Sequence, residues 1–275
     1  MFNSIMLTAF FVGTLLAVIL ALLGSVLVFK RLSMIGDSLS HTALAGVAIG
    51  LIAGYNPLYG AIVICIFATL FIEVIRKKFP KYSEISLAIV MSAGIGLSGL
   101  LSSFAPTNFN NYLFGSIVSI RPVEVYMAIG LFVLVVLFSI IFYRELMFIS
   151  YSETSAQLAG VPVKRVNFIL SILTAVLVAL ASKIIGALIV SSIMVIPTAI
   201  SLLIAKSYKT TLLYAIVFSV ISVISGLTIS FYAGLKPGGT ITMTAIAILI
   251  LVIIIKEIVQ FINKKHKHNH TQKIR

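Results

Sequence analysis

The sequence predicts an all-α, polytopic transmembrane bundle of eight or nine helices, and two observations carry that expectation. Hydrophobic residues fill 60% of the 275 positions and charged residues 10%, whereas a soluble globular domain carries about 25% charged residues. Apolar runs of the length that crosses a hydrocarbon core as a helix, about 20 residues, also succeed one another nearly from end to end. They fall near 5–29, 35–54, 59–75, 86–104, 123–142, 166–182, 184–204, 210–233 and 241–259. The count of eight or nine turns on the pair 166–182 and 184–204, which are parted only by Ser182-Lys183. Residues 1–262 are read as one transmembrane domain and 263–275 as a basic, histidine-containing tail.

The first apolar run has no basic residue before it in Met1-Phe2-Asn3-Ser4 and exceeds the apolar core of a signal peptide, so it is expected to stay as a helix. Tyr112-Leu113-Phe114-Gly115-Ser116-Ile117 is apolar but too short to span, and reads as a short outer-face or re-entrant piece before Pro122. Cys65 is the single cysteine, so no intramolecular disulfide framework exists.

The net charge of +13 would suit a polynucleotide partner, but its placement points elsewhere. With the N-terminus outside, Lys30, Arg31, Arg76, Lys77, Lys78, Lys81, Arg144, Lys164, Arg165, Lys206 and Lys209 all fall in inner loops, and Lys256, Lys264, Lys265, Lys267, Lys273 and Arg275 fall at the cytoplasmic C-terminal end. Only Arg121, Lys183 and Lys236 of the 20 lysines and arginines remain outside. That asymmetry is the positive-inside rule. The charge therefore reports orientation and contact with anionic lipids, and no nucleic-acid partner is expected.

Chemistry concentrates at Gly36-Asp37-Ser38-Leu39-Ser40-His41, which opens an otherwise apolar segment. A carboxylate and an imidazole four residues apart lie one above the other on a helix face. Each is costly in a bilayer, at about 2.5–3.5 kcal/mol for a mid-helix Asp, and together they are donors suited to a divalent ion. Two readings fit: a metal or proton pathway, or a structural polar contact in which Asp37 complements the helix dipole. One helix supplies two ligands where zinc prefers about four, so a symmetric dimer would complete the set with a second Asp37 and His41.

The connector Phe148–Arg165 is the second unusual segment. Ser152 is a candidate N-cap, and Gly160 followed by Pro162 a candidate stop, for a short helix carrying Glu153, Ala156 and Leu158. It reads either as an ordinary amphipathic connector or as a coupling helix docking on a cytoplasmic ATPase. In the latter case its small residues permit close approach and Glu153 adds a polar contact.

Pro197 is expected to kink its segment and free a carbonyl. Gly94, Gly96 and Gly99 offer a small face for helix contact. His266, His268 and His270 alternate in the tail among lysines, where a solvated, lipid-facing basic segment outweighs an intracellular metal-holding role. No Gly-x-x-x-x-Gly-Lys-[Ser/Thr] segment occurs, so the chain is expected not to hydrolyse ATP itself.

Three blocks carry a resemblance. Arg31 through His41, continuing to Ala45-Gly46-Val47-Ala48, resembles the second-helix signature of bacterial ABC-type zinc and manganese permeases, the ABC-3 family. Ser152-Glu153 to Leu158-Ala159-Gly160-Val161 resembles that family's coupling segment, and Gly186 through Ala199 its late apolar motif. The resemblance implies a type II ABC-importer-like fold in the bacterial cytoplasmic membrane and a homodimer of permeases. It also implies cytoplasmic ATP-binding subunits and an extracellular metal-binding protein. Asp37 and His41 would then line the translocation path, with no bound cofactor and Zn2+, or alternatively Mn2+ or iron, as the cargo. Leu44-Ala45-Gly46, where manganese members tend to have Leu-Pro-Gly, is closer to the zinc branch. The rivals are a proton-coupled secondary carrier using the same pair as a relay, and a nontransporting scaffold.

Overall fold

The computed structural model describes the chain except residues 1, 80–81, 106–108, 110, 116–119, 188 and 273–275, and except the side chains of 2–5, 77, 83, 111, 114 and 262–272. Among the described residues the regular structure is helical throughout. The order is α1 (Phe2–Phe29), α2 (Ile35–Ile52), α3 (Pro57–Lys78), α4 (Ser83–Ser102), α5 (Asn111–Phe114), α6 (Pro122–Ile141), α7 (Tyr143–Tyr151), α8 (Glu153–Leu158), α9 (Val163–Ala181), α10 (Val190–Ile204), α11 (Tyr208–Ala233) and α12 (Pro237–Gln272). A π-helical turn, Ser182–Gly186, continues α9. Among the described residues eight helices are long and apolar enough to cross a membrane, and α10 is a shorter apolar one.

Local chemistry sets many of the boundaries. Asn56 caps α3, accepting from the Leu58 amide at 3.1 Å, and Pro57 occupies a position where a missing N–H costs nothing. Ser207 and Thr210 form a reciprocal cap at the start of α11. Gly234, with φ of 65°, ends α11 in the left-handed conformation that glycine adopts without strain.

The expected break at Ser182-Lys183 lies elsewhere. Helix α9 runs through it by widening into the π turn, and the chain leaves the helix only past Gly186. Lys183 therefore lies inside the bundle, not in an outer loop, and pairs with Glu124 of α6. Helix α12 runs on through Asn263 to Gln272. Helix α7, absent from the predicted set, turns Leu146, Ile149 and Ser150 into the protein.

Helices α1, α2 and α9 are the most enclosed, while α4, α6 and α12 turn most of their apolar surface outward. Leu100, Ile140 and Phe261 are each at least 67% exposed, an arrangement that suits lipid and not water. At one end, Phe29 of α1 stacks on Tyr151 of α7 and Tyr208 of α11, with ring centroids 6.0 and 5.6 Å apart. This brings the α7–α8 junction beside the α1–α2 and α10–α11 junctions, whose Lys30, Arg31, Lys206 and Lys209 are among the basic residues that predict the cytoplasmic end.

Glycine permits the tightest crossing. A Cβ on Gly46 of α2 would lie 2.5 Å from the Gly60 carbonyl oxygen of α3. Gly46→Ala therefore forces the helices apart and is expected to cost about 1–3 kcal/mol. Gly96→Ala, where a Cβ meets open space, is the matched control. Thermal unfolding in detergent should fall for the first and not for the second; equal behaviour would refute the crossing.

Candidate functional site

Helix α2 is the element on which the candidate site is built. It packs between α3 and α4 with α9 and α10 behind it, and nearly every residue from Ile35 to Ala48 is buried. Asp37 and His41 are the exceptions within that stretch, each partly open on the same side as exposed Met34, Ile49 and Ile52. Asp37 lies in the first helical turn, where the helix dipole favours a carboxylate. His41 is one turn, about 6 Å, further along.

The helices around α2 come close because small residues let them. Gly94 of α4 sits against the backbone at His41 and Thr42, where a Cβ would lie 2.8 Å from the Thr42 nitrogen. Gly96 and Gly99, grouped with it in the sequence pattern, have open space instead. Ser38 donates to the Leu87 carbonyl at 2.9 Å and ties α2 to α4 beside Asp37. Met194 of α10 touches α2 at Gly36, its sulfur 3.2 Å from where a Cβ would stand, and its carbonyl lies 2.4 Å from the corresponding point on Gly24 of α1.

Pro197 lies inside α10, buried, less than one turn from Met194. Thr198 donates to the Met194 carbonyl at 3.1 Å and shares a 3.2 Å hydrogen bond with Ser25 of α1. The proline thus sits between the contacts that α10 makes with α1 and with the residue preceding Asp37. Among the described residues no three or more His, Cys, Asp or Glu side chains form a group that could hold a metal ion, so within one chain Asp37 and His41 stand as a pair.

The connector forms the helix that its cap and stop residues predict. Ser152 accepts from the Ser155 amide at 3.2 Å, starting α8, and Gly160 leaves it with φ of 81°. The four residues singled out on it face different ways. Leu158 is 86% exposed and Gly160 is also on the surface. Ala156 is completely buried, so it seats α8 on the bundle.

Glu153 turns inward as well. Its carboxylate lies 3.0 Å from the Lys30 ammonium at the end of α1 and accepts from the Asn167 side-chain amide of α9 at 3.0 Å, while Lys30 donates to the Asn167 side-chain oxygen Oδ1 at 2.7 Å. Burial pushes Lys30 below its ordinary value against the pull of Glu153. Burial would also raise Glu153, but the Lys30 charge and the hydrogen bonds from Lys30 and Asn167 together hold it below the usual carboxylate range. The two directions describe one ion pair with its lysine enclosed and its carboxylate at the rim.

A second ion pair, Lys183–Glu124, lies at the opposite end of α9, deep within the protein. The side chains of His266, His268 and His270 lie outside the described residues.

Against known proteins, the model of the ABC 3 transport family matches residues 2–256, nearly the whole chain. The chain belongs to the ABC 3 transport family. This ABC-3 permease is 31% identical over 254 residues to the high-affinity zinc uptake system membrane protein ZnuB of Haemophilus influenzae, covering 90% of this chain and 96% of that one. It is 27% identical over 267 residues to the manganese import system permease protein ScaB of Streptococcus gordonii, covering 96% and 95%. A solved structure of PsaBC from Streptococcus pneumoniae in complex with Fab shares the fold, with a TM-score of 0.79 at 24% identity over 89% of each chain.

Proposed function

We propose that this chain is the membrane-spanning permease subunit of an ATP-driven zinc importer in the bacterial cytoplasmic membrane, working by alternating access as a homodimer. The observation that carries the reading is the placement of Asp37 and His41. They are the partly open polar positions in a stretch, Ile35 to Ala48, otherwise sealed by its neighbours, and one chain leaves their ligand set half complete. Two copies facing across a path supply two carboxylates and two imidazoles, the number and type of donors that zinc takes.

An external metal-binding protein delivers the ion to the outward-open dimer, and the two Asp37–His41 pairs take it transiently. Cytoplasmic ATP-binding subunits act on the surface around Leu158 and Gly160. An interior-negative potential already favours entry by about 2.3 kcal/mol per charge per 100 mV. ATP is needed to strip the ion from a tight donor and to empty the site inside, so the site works best when weak and open.

The test is metal accumulation in vesicles holding this permease, its ATPase and its binding protein, with zinc and manganese followed separately. ATP-dependent zinc entry is the expected result. Manganese entry alone would keep the mechanism and overturn the ion. Entry that follows a proton gradient without the ATPase would replace the whole reading with a secondary carrier.

A further inference from the structure

The one charged side chain of α8 points into the protein, and what it meets there has a mechanical consequence. Lys30 follows directly on α1, and its side chain is only 4% exposed, against 40% for Glu153. The other charges facing it come from α3: Arg76 repels it, and Glu73 attracts it but is already engaged by Arg76 at 3.1 Å and by Ser171 at 3.4 Å. Were α8 to move away alone, the ammonium would be left enclosed without its counter-charge, and a buried charge stripped of its partner is strongly destabilising. The triangle of Lys30, Glu153 and Asn167 therefore moves as a unit.

The corner beyond Lys30 is stiff. Arg31 holds φ of 58°, the left-handed position where a helix end usually has glycine. Around it the Lys30 amide donates to Val26 at 3.1 Å, the Leu32 amide to Leu27 at 2.8 Å and the Ile35 amide to Leu32 at 3.0 Å. Helix α2 begins at Ile35, and Asp37 stands two residues on.

We infer that Lys30 and Asn167 are positioning residues that, with Glu153, carry displacement of α8 to the α1–α2 corner and thereby to the Asp37–His41 pair. The inference rests on the proposed ATP-driven import, in which a partner pushes on α8. Glu153 serves the ATPase through Lys30. Asn167 suits the task because its amide offers both a donor and an acceptor, and a flipped amide serves the triangle equally well with the two charges exchanged.

The experiment counts metal delivered and ATP hydrolysed in the same vesicles, with permease, ATPase and binding protein assembled. It compares wild type with Glu153→Ala, Lys30→Met and the exchange Lys30→Glu/Glu153→Lys. In Glu153→Ala, hydrolysis should continue while metal delivered per ATP falls by about tenfold, within the range of coupling changes that such linking residues produce. The exchange should recover most of that ratio, which restored packing alone would not explain. An unchanged ratio in Glu153→Ala, or hydrolysis and delivery falling together as the complex comes apart, would overturn the inference. So would an assembled exchange variant with no recovery. Should Lys30→Met fail to accumulate, Glu153→Ala at the half-exposed end still decides. Wild-type vesicles that deliver neither zinc nor manganese on ATP would instead sink the transporter reading, before any variant is compared.

Discussion

Asp37→Ala and His41→Ala should each lower ATP-dependent metal flux by at least about tenfold, the lower end of what disturbing even the groups that orient metal ligands costs. The amount of permease in the membrane should stay the same. In the proposed dimer four donors would meet on the path, and each substitution would remove two of them at once. Abundance holds because both side chains are partly open in a helix whose packing is made by its other residues. The neighbouring bonds, Ser38 to Leu87 and Thr42 to Ser38, do not involve either side chain. Zinc uptake by cells at matched permease levels is the readout. Wild-type flux in both variants would demote the pair to structural polarity, and loss of protein in both would assign it to folding.

The architecture was legible because a bilayer imposes a long apolar period that a sequence cannot hide. The helix starts and stops at Asn56, Ser152, Gly160 and Gly234 follow from residue chemistry within one turn. The Asp37–His41 pair was visible for the same reason, since both residues lie on one helix. Lys183 shows the limit. Read along the chain, a lysine between two apolar runs marks a loop. Its burial depends on Glu124, 59 residues earlier, and on a π turn that no local residue announces. Glu153 is a parallel case. As a charge on a short connector it suggests a docking contact, but its partner Lys30 comes from the end of α1, far away in the sequence. Helix α7 was missed because its polar Tyr143-Arg144-Glu145 start follows α6 almost without a gap, and only its packing separates the two.

The Lys183–Glu124 pair should dominate the stability of the opposite end. Both residues are buried, at 8% and 1% exposure, and Glu124 also accepts from the Arg121 amide at 3.2 Å to close the start of α6. Removing either charge alone strands the other in a low-dielectric interior, which costs about 3–5 kcal/mol. Lys183→Met leaves an enclosed carboxylate. Glu124→Gln keeps the acceptor for Arg121 but leaves an enclosed ammonium. The double variant has no charge to strand, so it should recover much of the loss. Denaturant unfolding of the purified permease in detergent gives the four free energies of the cycle. Strong non-additivity, with the double variant nearer to wild type than either single one, is the expected result. Additive losses below about 1 kcal/mol would instead match a solvent-exposed pair and place Lys183 back at the surface, as the linear sequence first suggests.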